Sequence, residues 1–290
     1  MTSQTISTPF RKTALGKNWK LARQKYDRVR RELYQRLLCN RREPKRVLLI
    51  VGCQRSGTTM MGNVLAKDLR SAVLQEQSCV TGRQTLRMKP YDEVNRILGS
   101  FRAPLVVVKP LVESQWTPEM LHQITGSKAL WMFRNYQDVV RSNVRRFSSQ
   151  IEGLRIAVSG TPTSWRNERL SAETRAILQQ FFRENMRPED AAALGWYARN
   201  VLFFELGLDQ RQDVMMCRYE DLVSRPDQLL EQIYQFIDLK PPRRAISGDI
   251  DARSVGLGED ASIDPEIRQL CQELHDRLIC CCRTRKEASR

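Results

Sequence analysis

Histidine is scarce in this chain: its 290 residues include only His122 and His275. The eight cysteines contain no CxxC pair, so a zinc site is poorly supported, and their spacings do not form a disulfide framework. No apolar run approaches the roughly 18 residues of a membrane span. No secretory signal opens the chain, so the expectation is a cytoplasmic, reducing setting with free thiols, at most peripheral to a membrane. Hydrophobic residues at 41% and charged residues at 28% exclude disordered and collagen-like classes.

Acidic residues are the other shortage. There are 48 Lys/Arg against 33 Asp/Glu, a net charge of +15. The imbalance is concentrated: residues 1–46 carry 14 Lys/Arg against 3 Asp/Glu, and residues 47–290 carry 34 against 30. A protein coated with basic charge for nucleic acid would spread it evenly, so no specific nucleic-acid partner is expected. The chain divides into a basic arm (1–45) and a nearly balanced domain (46–290). In the arm, Trp19, Ala22, Tyr26, Val29, Leu33 and Leu37 recur at three- and four-residue steps, one stripe of an amphipathic helix. Either the helix lies on an anionic membrane surface or polyanionic partner, or it packs its stripe on the body.

Beyond Pro44, Arg46–Gly52 is a short apolar run, read as a buried parallel strand. Further strands are expected at Ala72–Gln75, Leu105–Lys109, Ala129–Arg134 and Val214–Arg218. Helical patterns separate them at about 58–69, 90–100, 117–125, 136–148, 171–184, 189–206 and 225–237. This alternation predicts an α/β fold, a parallel sheet of about four to five strands with helices on both faces. Residues 150–190 are more polar, contain Gly160-Thr-Pro162, and read as an inserted, more mobile region.

The first strand runs directly into Gly52-Cys-Gln-Arg55-Ser56-Gly57-Thr58-Thr59 and a helix. Gly52 and Gly57 allow the backbone to fold back so that N–H groups converge, and the helix N-terminus adds its dipole; together they suit a phosphate. Ser56, Thr58 and Thr59 add hydroxyls. The spacing is that of an ATP/GTP P-loop, but that motif continues with Lys and this one with Thr58. The cation, Arg55, comes from inside the loop.

Arg55-Ser56-Gly57-Thr58-Thr59 after an apolar strand resembles the 5′-phosphosulfate loop of sulfotransferases, in the Arg form of the tyrosylprotein and bacterial branches. The resemblance implies a P-loop-NTPase-like sulfotransferase fold. It also implies 3′-phosphoadenosine 5′-phosphosulfate (PAPS) as cosubstrate, with no metal. The family's 3′-phosphate motif is a strand-ending Arg with a Ser eight residues on; Arg134 and Ser142 fit it. Arg134 leaves the sheet at its C-terminal edge, where ligands of open α/β sheets sit. The resemblance assigns Tyr219, in Arg218-Tyr-Glu-Asp-Leu, to the nucleotide. Arg253-Ser-Val-Gly256 loosely matches the C-terminal nucleotide segment.

For the base, the His that the cytosolic branch places two residues after its strand-ending Lys is replaced by Leu111 after Lys109. Glu76, 21 residues after Arg55, matches the tyrosylprotein branch and suits proton acceptance from a hydroxyl; Glu113 is the reserve. The implied mechanism is in-line transfer to a hydroxyl or amine, with Arg55 on the leaving phosphate, Lys109 on the sulfuryl group and Glu76 as base. The acceptor region is expected within 150–207, where Trp196 and Asn200 share a helix face; its occupant is a small molecule, carbohydrate, lipid or peptide. Two rivals are a P-loop kinase or NTPase and a non-catalytic polyanion-binding protein. Cys280-Cys-Cys282 reads as a partly buried helix end.

Overall fold

The computed structural model describes residues 26–27, 29–40, 43–159, 164–248, 250, 255–256 and 261–288. Its centre is β1 (Arg46–Gly52), whose valines, leucines and isoleucine are buried on both sides. Such a run cannot present a polar face to water and needs helices above and below. The other strands are β2 (Ser71–Leu74), β3 (Leu105–Val108), β4 (Ser127–Phe133) and β5 (Val214–Arg218). All pair in parallel in the order β2-β3-β1-β4-β5.

Alternation along β1 divides the interior. Leu48 and Ile50 join a core with Met61, Leu65, Leu230 and Ile233, from α1 (Thr58–Leu65) and, later in the chain, Pro226–Phe236. Val47, Leu49 and Val51 face a larger core on the opposite side. That side is covered by α2 (Tyr91–Ser100), α3 (Thr117–Gln123), α4 (Tyr136–Arg146), α5 (Gln150–Ser159), α6 (Ala172–Phe181) and α7 (Pro188–Glu205). Two short helices follow, α8 (Tyr219–Ser224) and α9 (Pro226–Phe236), then α10 (Pro265–Ala288).

The polar stretch from 150 contains an ordered helix, α5, which the alternation of strands and helices does not announce; Gly160–Pro162 lies outside the described residues. Of helix α10 the sequence reading expected only a helix end at Cys280–Cys282. Its Cys271, Leu274, Leu278 and Cys282 pack on the larger core while Cys280 is exposed; the cysteine run is partly buried as expected but lies within the helix, which continues to Ala288. All eight cysteines are free.

From β1 at the middle of the sheet the chain passes to the edge strand β2, returns to β3 between them, and then crosses past β1 to β4. The order therefore reverses at β1, and the crevice beyond the C-terminal ends of β1, β3 and β4 is where such sheets take ligands.

The basic helix is described over 29–38, with Trp19 and Ala22 outside the described residues. It meets the body through its polar side. Gln35 Nε2 donates to the carbonyls of Leu69 (2.9 Å) and Ser71 (3.2 Å), and Arg31 donates to the Ala66 carbonyl. Tyr26, Val29, Leu33 and Leu37 are exposed. The expectation that the stripe packs on the body is overturned: backbone carbonyls after α1 attract the polar face instead.

Candidate active site

The loop after β1 begins with Gly52 at φ +116°, where a Cβ would sit 2.3 Å from the Met132 carbonyl oxygen. Its N–H donates to Ser114 Oγ (3.0 Å), which ties the loop to the 3₁₀ turn Leu111–Trp116 after β3. Arg55 adopts φ +66°, an uncommon left-handed conformation for a residue with a Cβ. Gly57, at φ +84°, starts α1, and a Cβ there would lie 2.3 Å from the Tyr219 ring. Gly57 is thus required twice, by backbone and by the ring pressed on it.

The strand ends bring most of the expected residues together. Arg55 Nε donates to Ser142 Oγ (2.8 Å) on α4, joining the loop to the pair expected at the 3′-phosphate. Arg134, at the end of β4, pairs with Asp138 (3.0 Å) and lies over the Tyr219 ring, 4.3 Å from its centroid. Tyr219 is therefore buried against both Arg134 and Gly57. Burial lowers the Arg55 pKa, and the like charges of Arg146 and Arg134 lower it further. Arg55, bonded to a neutral hydroxyl and pressed by two like charges, is a place that suits an anion.

Lys109 leaves the end of β3 and supplies what the loop lacks. Its buried ammonium donates to Thr59 Oγ1 (2.9 Å) and pairs with Glu76 Oε1 (2.9 Å), past the end of β2. Three elements remote in sequence converge there. Glu113 is buried and paired with Arg87, which also holds Glu168. That network leaves Glu76 as the carboxylate beside Lys109. Ser56 Oγ and the side-chain Oδ1 of Asn200 are buried beside the Cys53 thiol with no nitrogen or oxygen partner among the described residues; Thr58 is buried at the start of α1.

Trp196 is a positioning element of the wall: its indole N–H donates to the Arg134 carbonyl (3.0 Å). Asn200 sits beneath it, donating to the Trp196 carbonyl (2.9 Å). Asn135 N–H donates to Glu220 Oε1 (2.9 Å), which Arg218 holds from its other oxygen, so Glu220 fixes the turn after β4. Ser224 ends α8, donating to the Glu220 carbonyl. Of Arg253–Gly256, only the last two residues fall within the described chain.

A cavity of about 200 Å³ opens beside the loop at Cys53 and Gln54, walled by α4, α5 and α7. Phe147, Leu154, Trp165 and Trp196 give it an apolar wall; Arg166 and Arg199 line it as well. The sequence reading missed these two arginines. The available signal was Arg199 alone in the apolar stretch of α7. Among the described residues no group of three or more His, Cys, Asp or Glu is placed to hold a metal ion.

A parallel α/β sheet with a glycine-rich, cation-lined loop at its switch point is the frame of a protein that binds a phosphorylated ligand. Residues 45–251 match the family model for the sulfotransferase domain, and the chain belongs to that family. Among solved structures, the sulfotransferase domain from the curacin biosynthetic pathway superposes with a TM-score of 0.50 at 16% identity, covering 80% of this chain and 98% of that one. A sulfotransferase from Alicyclobacillus acidocaldarius gives 0.47 at 14% identity, covering 83% and 96%. A search of the curated proteins finds no match.

Proposed function

We propose that this chain transfers a sulfuryl group from PAPS to a hydroxyl or amine acceptor bound in the cavity beside the loop. The observation that carries the reading is the placement of Lys109, shared between the loop hydroxyl of Thr59 and the carboxylate of Glu76. It stands between the anion-binding loop and a potential base.

The donor's 5′-phosphate fits the loop, and the orphaned hydroxyl of Ser56 suits it. Arg134 and Ser142 receive the 3′-phosphate, and Tyr219, stacked on Arg134, meets the nucleotide. Glu76 takes the acceptor proton as the new O–S or N–S bond forms and the bond from sulfur to the 5′-phosphate oxygen breaks. The electron pair stays on the 5′-phosphate, where Arg55 stabilises it; Lys109 holds the equatorial sulfuryl oxygens. These cations act where charge accumulates in a loose transition state, so positioning supplies most of the rate, without a metal ion.

The test is thermal unfolding with 3′,5′-bisphosphoadenosine, the desulfated donor, against ADP with and without Mg²⁺. A ligand at 100 times its Kd adds about 2.7 kcal/mol. At roughly 2–4 °C per kcal/mol the shift is readily measured. Stabilisation by ADP with Mg²⁺ alone would favour a P-loop phosphotransferase and sink the sulfotransferase reading.

A further inference from the structure

The cavity beside the loop has an unusual charge pattern. Two guanidiniums, Arg166 and Arg199, both lie over the Trp165 ring, at 4.5 and 5.0 Å from its centroid. Among the described residues no Asp or Glu lines the cavity. Arg199 is 5% exposed. It donates to Gln115 Oε1 (3.1 Å) and to the carbonyls of Trp165 and Leu111, all neutral acceptors, and its Nε has none. Burial pushes its pKa down to about 10. Half-buried Arg166 has no hydrogen bond or ion pair to its guanidinium among the described residues, and burial alone lowers its pKa. Burying a charge is costly unless an opposite charge or full hydrogen bonding offsets it. Glu168, whose charge is felt at Arg199, is engaged by Arg87, Gln115 and Trp116.

We infer that the acceptor carries an anionic group, a carboxylate or a phosphate ester, which Arg166 binds while the aromatic wall holds the rest. This rests on the reading of the cavity as the acceptor site. Arg166 is a specificity residue here, because the reacting groups lie at Glu76 and Lys109. Its planar fork suits either anion bidentately, and lysine would not reproduce that geometry.

The experiment uses the full chain saturated with 3′,5′-bisphosphoadenosine and follows tryptophan fluorescence. The titrants are matched pairs: 4-hydroxyphenylacetate with its carboxamide, 3-hydroxydecanoate with its carboxamide, and 4-hydroxyphenyl phosphate with hydroquinone. The anionic member of at least one pair should bind about tenfold tighter or more. In Arg166→Gln that ratio should fall to near one, with nucleotide affinity unchanged; which anion wins separates carboxylate from phosphate. Equal binding within every pair, or a preference that survives Arg166→Gln, overturns the inference. Failure of the nucleotide itself to bind strikes the donor reading instead, so the two failures are distinguishable.

A second inference rests on a different observation, the outward stripe of the basic helix. Tyr26, Val29, Leu33 and Leu37 are 65, 54, 53 and 79% exposed, on the side away from Arg31 and Gln35. At 100° per residue Arg30 and Arg36 border that stripe, and both are exposed. The arm that carries it, residues 1–45, has 13 basic residues to 3 acidic. No helix among the described residues is long and apolar enough to cross a membrane. An apolar stripe with basic borders, fixed to a domain by its other face, is the pattern of a helix lying in a lipid interface.

We propose that this helix docks the enzyme on an anionic bilayer, with the stripe in the acyl boundary and the arginines among the headgroups. Co-sedimentation with vesicles of phosphatidylcholine, alone or mixed with phosphatidylserine, tests it. The protein should pellet with the mixed vesicles at low salt and be released by high salt. Leu33→Glu/Leu37→Glu should stay in the supernatant with its melting temperature and nucleotide binding intact. Pelleting with neither lipid, or equal pelleting of the double variant, overturns the proposal. So would a wild-type dimer that the double variant converts to monomer, because a second copy would then cover the stripe.

Discussion

At the residue scale, the site depends on side chains that each hold two things. Lys109 bridges Thr59 and Glu76, Arg55 reaches Ser142, and Tyr219 backs both Gly57 and Arg134. On the proposed mechanism, replacing Arg55 by Ala removes the cation from the leaving phosphate and should lower kcat by about 10²–10³-fold, by analogy with loss of one oxyanion donor. Glu76→Gln keeps the shape and removes the base, for an expected loss of about 10²–10⁴-fold with nucleotide affinity retained. Release of 3′,5′-bisphosphoadenosine from PAPS, with an acceptor found by screening hydroxyl compounds, measures both. The loop itself was legible in sequence because its chemistry is local: strand, glycines, Arg and hydroxyls are contiguous. The Lys109–Glu76 pair was not, because nothing in the spacing of two strand ends says that their side chains meet. Arg166 and Arg199 were hidden for the same reason.

At the scale of elements, the helices behind the crevice are fixed by buried polar links. Asp68, between α1 and β2, accepts hydrogen bonds from the Arg70 side chain and from the Tyr234 hydroxyl (2.7 Å) on α9. Burial alone would raise the Asp68 pKa; the bonds from Arg70 and Tyr234 outweigh it and hold the carboxyl below its ordinary value. A depressed native pKa means that the ionised form stabilises the fold. That contribution is fully present above the unfolded-chain value near 3.9 and is lost as pH falls through the folded value. Urea midpoints should therefore drop steeply below about pH 4, and Asp68→Asn should flatten the drop. Tyr234→Phe should cost about 1–2 kcal/mol at neutral pH by leaving Asp68 short of a donor; an unchanged midpoint would contradict this. The strands were legible to within about two residues because continuous apolar runs between turn signals leave little choice. Of helix α10 only the end near Cys280–Cys282 was read, its polar sequence giving little contrast between faces. The apolar stripe over 26–37 was read from its period, but a period cannot say whether the apolar face meets protein or something else.

At the scale of the whole molecule, the basic charge serves two places. Around the crevice, Arg55, Lys109 and Arg134 gather at the C-terminal edge of the sheet, while the arm carries its surplus on a helix whose apolar side faces away from the body. The first arrangement follows from strand order, since β1, β3 and β4 end side by side. The second follows from Gln35 and Arg31 finding backbone carbonyls of the body. The central claim is that the crevice recognises a nucleotide phosphorylated at both ends. Calorimetric titration of 3′,5′-bisphosphoadenosine and of ADP into wild type and Arg134→Gln tests it most directly. The account predicts that the bisphosphate binds wild type at least about tenfold tighter than ADP, with or without Mg²⁺, and that Arg134→Gln removes most of the difference. ADP binding as tightly as the bisphosphate, or a preference untouched by Arg134→Gln, would contradict it.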